Sequence, residues 1–134
     1  MGAPAARLTD TVKGKDTHLV NVPSPSGAVP TLVPGHIFSG TLTSGASTNV
    51  RIDGLPAAVV GTEATNSPKH VPMPPGTSFV ELPSNSGTVS HGSSSVRINS
   101  KAAARLGDLV RTCNDPTDAD TSAITSGSGT VTIG

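Results

Sequence analysis

One stretch of this 134-residue chain recurs three times, and one of its copies is divided between the two ends. Residues 94–108 carry Val96-Arg97-Ile98-Asn99-Ser100 and then Ala102-Ala103-Ala104-Arg105-Leu106-Gly107-Asp108. Residues 48–62 carry Val50-Arg51-Ile52-Asp53-Gly54 and then Pro56-Ala57-Ala58-Val59-Val60-Gly61-Thr62. The last six residues, Gly129-Thr130-Val131-Thr132-Ile133-Gly134, match the first half of this unit. The first ten, which include Pro4-Ala5-Ala6-Arg7-Leu8 and end at Asp10, match the second half. Two halves that make a unit only when the ends meet predict that the ends lie side by side, so the repeat constrains the fold more than any other feature.

Each unit begins with β-branched residues in alternation, Val50/Ile52, Val96/Ile98 and Val131/Ile133, as expected of a half-buried strand with these side chains inward. Asp53-Gly54 follows as a tight primed turn, and Asn99-Ser100 takes the same place in its copy. The second half of each unit is then the returning strand. Its paired alanines, Ala5-Ala6, Ala57-Ala58 and Ala103-Ala104, are poor strand formers but suit a place where several backbones crowd together. An alanine-rich helix is disfavoured by Pro4, Pro56 and the glycines that follow.

The length allows one small domain over residues 1–134, with longer surface connections at about 19–47 and 63–93. Within the second connection, Thr77–Leu82 could add a strand. There is no Trp or Tyr and there are only two phenylalanines, Phe38 and Phe79, so a large aromatic core is excluded. The 15 glycines and 12 prolines would fit disorder, but the repeat and the zero formal charge oppose it. That charge balance also removes the electrostatic case for nucleic acid or anionic lipid. A single Cys excludes an internal disulfide. The opening residues lack a basic segment followed by an apolar run, so no signal peptide is expected, and no window reaches membrane-spanning length.

The histidines and the cysteine can be placed on the repeat. Asp10, Thr62 and Asp108 end the three units; His18 follows Asp10 by eight residues, His70 follows Thr62 by eight, and Cys113 follows Asp108 by five. A pseudo-threefold arrangement would bring these three together. A fourth ligand must come from outside the symmetry, and His36 in Pro34-Gly35-His36 is preferred over His91, which falls where the other units have a turn. Three imidazoles and one thiolate suit a tetrahedral Zn²⁺, one per chain, with no place for water and hence a structural role. Metal binding would also supply folding free energy to a chain with little core.

Pro4-Ala5-Ala6-Arg7, its imperfect copies Pro56-Ala57-Ala58-Val59 and Ala102-Ala103-Ala104-Arg105, and the closing Val131-Thr132-Ile133-Gly134 resemble the PAAR-repeat family over the whole chain. The resemblance implies an all-β, small pseudo-threefold β-cone built from three β-hairpin units, one split across the termini. It implies a tip that caps the trimeric central spike of a contractile injection machine, such as a type VI secretion system, a phage tail or an extracellular particle. The partner would be a homotrimeric, VgrG-like spike protein, met by one monomer. A zinc held by three His and one Cys near the apex is likewise implied, and it matches His18, His36, His70 and Cys113. Val59, Thr62 and Ala102 depart from the family pattern, where Arg, Asp and Pro are expected.

A mechanical, membrane-piercing tip needs no catalysis, and the protein is expected not to be an enzyme. The alternative role is an adaptor whose long loops recruit secreted effector cargo, with no fused effector expected. A zinc hydrolase would need an open coordination position and a base drawn from His91, Glu63, Glu81 or the group Asp115, Asp118 and Asp120; acidic residues in such a turn are expected to be merely solvated. The expected itinerary is synthesis in the cytoplasm followed by export on the spike.

Overall fold

The structure, a computed structural model, describes residues 2–134; Met1, the first residue of the expected return strand, lies outside the described residues. It is all-β. In chain order the strands are β1 (Ala3–Pro4), β2 (Thr11–Val22), β3 (Val29–Ser44), β4 (Arg51–Ile52), β5 (Leu55–Pro56), β6 (Glu63–Asn66) and β7 (Ser78–Phe79). They continue with β8 (Ser86–Val89), β9 (Arg97–Ile98), β10 (Lys101–Ala102), β11 (Leu109–Thr112), β12 (Ala119–Ile124) and β13 (Thr132–Ile133).

Each repeat unit forms a short antiparallel ribbon: β4 with β5, β9 with β10, and β13 with β1, where Ala3 faces Ile133. The ends of the chain therefore meet as the split unit requires. The turns are of the primed kind, with positive φ at both Asp53 and Gly54 and at both Asn99 and Ser100. A buried serine opens every unit, one residue before the stretch recognised in the sequence. The Oγ of Ser47, Ser93 and Ser128 accepts from the N–H of Val50, Val96 and Val131 at 3.0, 2.9 and 2.9 Å.

The returning strands are shorter than expected, because the alanine pairs leave the ribbons and meet on the pseudo-threefold axis. Ala6 N–H donates to Ala104 O, Ala104 N–H to Ala58 O, and Ala58 N–H to Ala6 O, closing a ring of three bonds at 2.9–3.0 Å. A second ring runs from Leu8 to Pro56 O, Val60 to Ala102 O and Leu106 to Pro4 O. All six alanines are fully buried. Three backbones can approach an axis this closely only if their side chains are small. Ala5, Ala57 and Ala103 face a cluster with Ile52, Ile98 and Ile133, while Ala6, Ala58 and Ala104 face a second cluster on the other side. Two of the three unit valines are not inward as expected: Val50 and Val131 are each 37% exposed at the ribbon rim, whereas Val96 is partly buried against the isoleucine cluster.

Above the ribbons stands a closed antiparallel barrel, in which β12, β11, β8, β6, β3 and β2 pair in that order and β2 pairs back onto β12. The segments expected to be surface connections thus supply β3, β6 and β8, together with β7 on the outside of β2. Of the expected extra strand, Ser78–Phe79 forms β7, and the N–H groups of Thr77 and Val80 on either side donate to Asn21 O and Leu19 O of β2. Inside, Val12, Ala64 and Val110 form one layer with Leu42, Val89 and Ile124. The next layer narrows. Gly14 faces Ser122, Gly40 faces Asn66 and Gly87 faces Thr112 across the ladders. A Cβ on Gly40 would lie 2.0 Å from Thr65 O, so glycine there is what lets the strands converge. Apolar side chains give way to polar ones as the barrel closes, and the histidines lie beyond.

Candidate metal centre

β2 and β3 position the first part of the site. In their ladder Asp16 lies opposite His36, and His18 opposite Val33, so Pro34 and Gly35 on β3 oppose Thr17 alone. This is a bulge with Gly35 at φ +94°, a conformation that glycine adopts without strain. Asp16 and His18 are two apart on one strand and share its inner face, and the cross-strand pairing adds His36 to it. All three are buried, at 0%, 1% and 1% exposure. His70 arrives from the segment after β6, its backbone N–H held by Asn85 Oδ1 at 2.8 Å. Cys113 follows β11 directly, and the next two residues lace it to β2. Thr17 N–H donates to Asn114 Oδ1 at 2.7 Å, and Leu19 N–H donates to Asp115 Oδ2 at 2.8 Å.

The four residues expected from the sequence converge. The rings of His18, His36 and His70 have centroids 5.0–5.8 Å apart, and Cys113 Sγ lies 3.8 Å from His18 Nε2. A tighter group forms within this cluster. Donor atoms of Asp16, His18, His70 and Cys113 all lie within 4.8 Å of one another, and these four could hold a metal ion. Asp16 is absent from the sequence expectation; the repeat gave no cue to it, because its counterparts at the same step are Pro68 and Asn114. His36 is adjacent but outside this tight group. Its Nε2 accepts from Met73 N–H at 3.1 Å, and its Nδ1 is buried without a partner. His91 is exposed and bonds through Nδ1 with Ser90 Oγ at 3.1 Å, away from the cluster.

Asp115 is not the solvated acid that the turn composition predicts. Its Oδ2 lies 3.3 Å from His18 Nδ1, where the carboxylate accepts a proton carried on that nitrogen, and Nε2 faces Cys113. A carboxylate behind a ligating imidazole fixes the tautomer and ring orientation in this way. The two phenylalanines, the only aromatic residues apart from histidine, both pack on the imidazoles. Phe79 is 5.6 Å from His18 and from His36, and Phe38 is 6.3 Å from His70.

The electrostatics favour ligation. Burial by itself would raise the Cys113 thiol, but hydrogen bonds from His18 and His70 outweigh it and hold it at about 7. Burial by itself would lower His70, but Asp16 and Cys113 outweigh it and raise it to about 9. His36 is lowered by burial and by the charge of His18. A thiol poised to ionise, imidazoles and a carboxylate in one buried cluster form a donor set of borderline softness, which fits Zn²⁺ among the common divalent ions.

The family model described as the PAAR motif matches residues 81–134, which include the third repeat unit, Cys113 and the closing half-unit. No curated protein matches the chain.

Proposed function

Because this chain is a PAAR-repeat protein, we propose that it is the tip of the central spike of a contractile injection machine, docked by its ribbon end on a homotrimeric spike protein and leading with its histidine end. The observation that carries this reading is the pair of closed backbone rings around the alanines. They give one chain three similar faces about an axis, the symmetry that a trimer presents. Val50 and Val131, with the half-buried Val96, place one valine from each unit at the ribbon rim, where they supply apolar contact to a partner.

The metal is proposed to be one structural zinc, held by His18, His70 and Cys113 with a fourth ligand from the facing pair Asp16 and His36. Zinc would supply cross-links between strands and folding free energy, on the order of 10 kcal/mol in small metal-dependent domains. His18 on β2, His70 after β6 and Cys113 after β11 come from three different parts of the wall, so joining them resists splaying of the narrow end. No step of this role requires catalysis.

Docking is tested by mixing the protein with a trimeric spike and measuring mass by light scattering. One chain per trimer is expected. Val50→Asp combined with Val131→Asp should weaken binding at least about tenfold, since two buried charges would oppose association. Full binding by that variant would sink the docking face. A second reading, an adaptor for effector cargo, is favoured by the exposed Leu32, Ile37, Val71 and Leu82 on the β2–β3 hairpin and the segments beside it. Under that reading Ile37→Asp with Leu82→Asp keeps spike binding but loses delivery of the co-secreted effector.

A further inference from the structure

We propose that the open cleft between the β4–β5 and β9–β10 ribbons receives an acidic side chain of the spike protein, which pairs there with Lys101. The inference rests on the docking of the ribbon end on a spike. The three units are separated by three equivalent clefts, and an arginine fills two of them. Arg7 reaches from Asp10 at 3.0 Å to Asp53, in the turn of the β4–β5 ribbon, at 2.8 Å. Arg105 reaches from Asp108 at 2.9 Å to Gly134 O at 3.2 Å. The third position is Val59, whose side chain is too short to span the gap. A cleft of about 270 Å³ is left there, lined among others by Ser47, Thr48, Val59, Asn99 and Lys101.

The chemistry of the lining selects the occupant. Its neutral polar side chains serve one another. Asn99 Oδ1 accepts from Ser47 Oγ, and Asn99 Nδ2 donates to Asn49 Oδ1 at 2.8 Å. Thr62 Oγ1 accepts from Val59 N–H and donates to Gly45 O at 3.3 Å. Lys101 is the one charged residue of the lining; it is exposed, and among the described residues its ammonium has no ion-pair partner. Leu55 and Ala3 hold its place on the other two ribbons, so this cation accompanies the unfilled cleft alone. The surrounding face has the same sign. Arg51 and Arg97 are exposed and pinned across their own turns, Nη1 donating to Gly54 O at 3.1 Å and to Ser100 O at 3.2 Å. Asp53, the one carboxylate of the ribbons, is already answered by Arg7. In a chain of zero formal charge the ribbon end is thus positive, and its complement is acidic. Thr48 lines the cleft two residues before Val50 of the rim, so a side chain from the docked spike enters without leaving the interface.

The test uses the whole chain and a homotrimeric spike that carries Asp or Glu at its docking end, with affinity read by titration calorimetry at low and high salt. Lys101→Met is expected to weaken docking about tenfold, and Lys101→Glu more, since like charges then meet. Lys13→Met, on the exposed face of β2, is the control and should change nothing. Val59→Arg with Thr62→Asp rebuilds the pair that fills the sibling clefts, and it should dock about tenfold more weakly because the occupant is shut out. Undiminished docking by Lys101→Met, or by the refilled chain once its urea midpoint shows it folded, overturns the proposal. Changing the acidic residues of the spike to Asn or Gln should abolish the effect of Lys101→Met and flatten the salt dependence. An effect of Lys101→Met that persists against the neutralised spike also overturns it. A native chain that binds no such spike removes the docking reading itself, a separate failure.

Discussion

Val59 and Thr62 stand where the other two units have Arg7 and Asp10 or Arg105 and Asp108, and the two exchanges belong together. Asp10 Oδ2 accepts from the Arg7 N–H at 2.7 Å and its other oxygen meets the guanidinium at 3.0 Å; Asp108 and Arg105 repeat this at 2.7 and 2.9 Å. Thr62 Oγ1 makes the backbone half of the motif alone, accepting from Val59 N–H at 2.9 Å. Losing only the arginine would leave a buried carboxylate without its counter-charge; exchanging both, as in the second unit, leaves a neutral hydroxyl that still serves the backbone N–H. Arg7→Val alone should therefore destabilise by about 2 kcal/mol, and adding Asp10→Thr should recover part of it, as read from urea midpoints, because the Arg7–Asp53 pair at 2.8 Å stays lost. The recovery should depend on pH. Burial by itself would raise the Asp10 carboxyl, but the bonds from Arg7 and Ser126 outweigh it and hold it below the usual carboxylate range. A depressed carboxyl adds stability above its unfolded value of about 3.9 and loses it as pH falls through the folded value. The native chain should thus lose its advantage over the double variant as the medium is acidified through that window, and an unchanged difference would refute the pairing.

At the scale of elements, the ladders tighten through glycine. Gly14, Gly40 and Gly87 each face a buried polar residue across a barrel ladder, and a Cβ on any of them meets a neighbouring strand at under 3.0 Å. Gly40→Ala should destabilise by about 3 kcal/mol or more, because its obstacle is the backbone of β6 and cannot rotate away. Gly129→Ala, with nothing within 4 Å, is the control and should change the denaturation midpoint little. The β2–β3 hairpin shows the opposite problem, an edge left open. Leu19 O and Asn21 O accept from Val80 and Thr77, so β7 covers one side of the hairpin, while Pro30 and Pro34 interrupt the N–H row of β3 and blunt its capacity to pair with other chains.

On the scale of the whole molecule, the three units are joined cyclically, each turn capping the opening serine of another. Asp53 Oδ2 accepts from Ser128 Oγ, Asn99 Oδ1 from Ser47 Oγ, and Gly134 O from Ser93 Oγ. A permuted chain that joins Gly134 to Gly2 through a two-residue turn and opens between Asn99 and Ser100 should fold with a melting temperature within about 10 °C of the native chain, since a few hydrogen bonds are at stake. Failure to fold would mean that the split unit is not equivalent to its siblings. The repeat, the meeting of the ends, the primed turns and the convergence of His18, His70 and Cys113 were all legible in the sequence. Each follows from local spacing repeated three times, and symmetry turns equal spacing into a shared location. The barrel was not legible. Its inward positions step from Val12 to Gly14 to Asp16, from Ala64 to Asn66, and from Val110 to Thr112, a small and polar series without the apolar alternation that marks a strand. Asp16 was hidden for the same reason, and Asp115 by its place in a polar turn. Only the closed tertiary structure decided their roles, because burial and the removal of competing water convert an ordinary carboxylate into a group that must be paired with a proton or a cation.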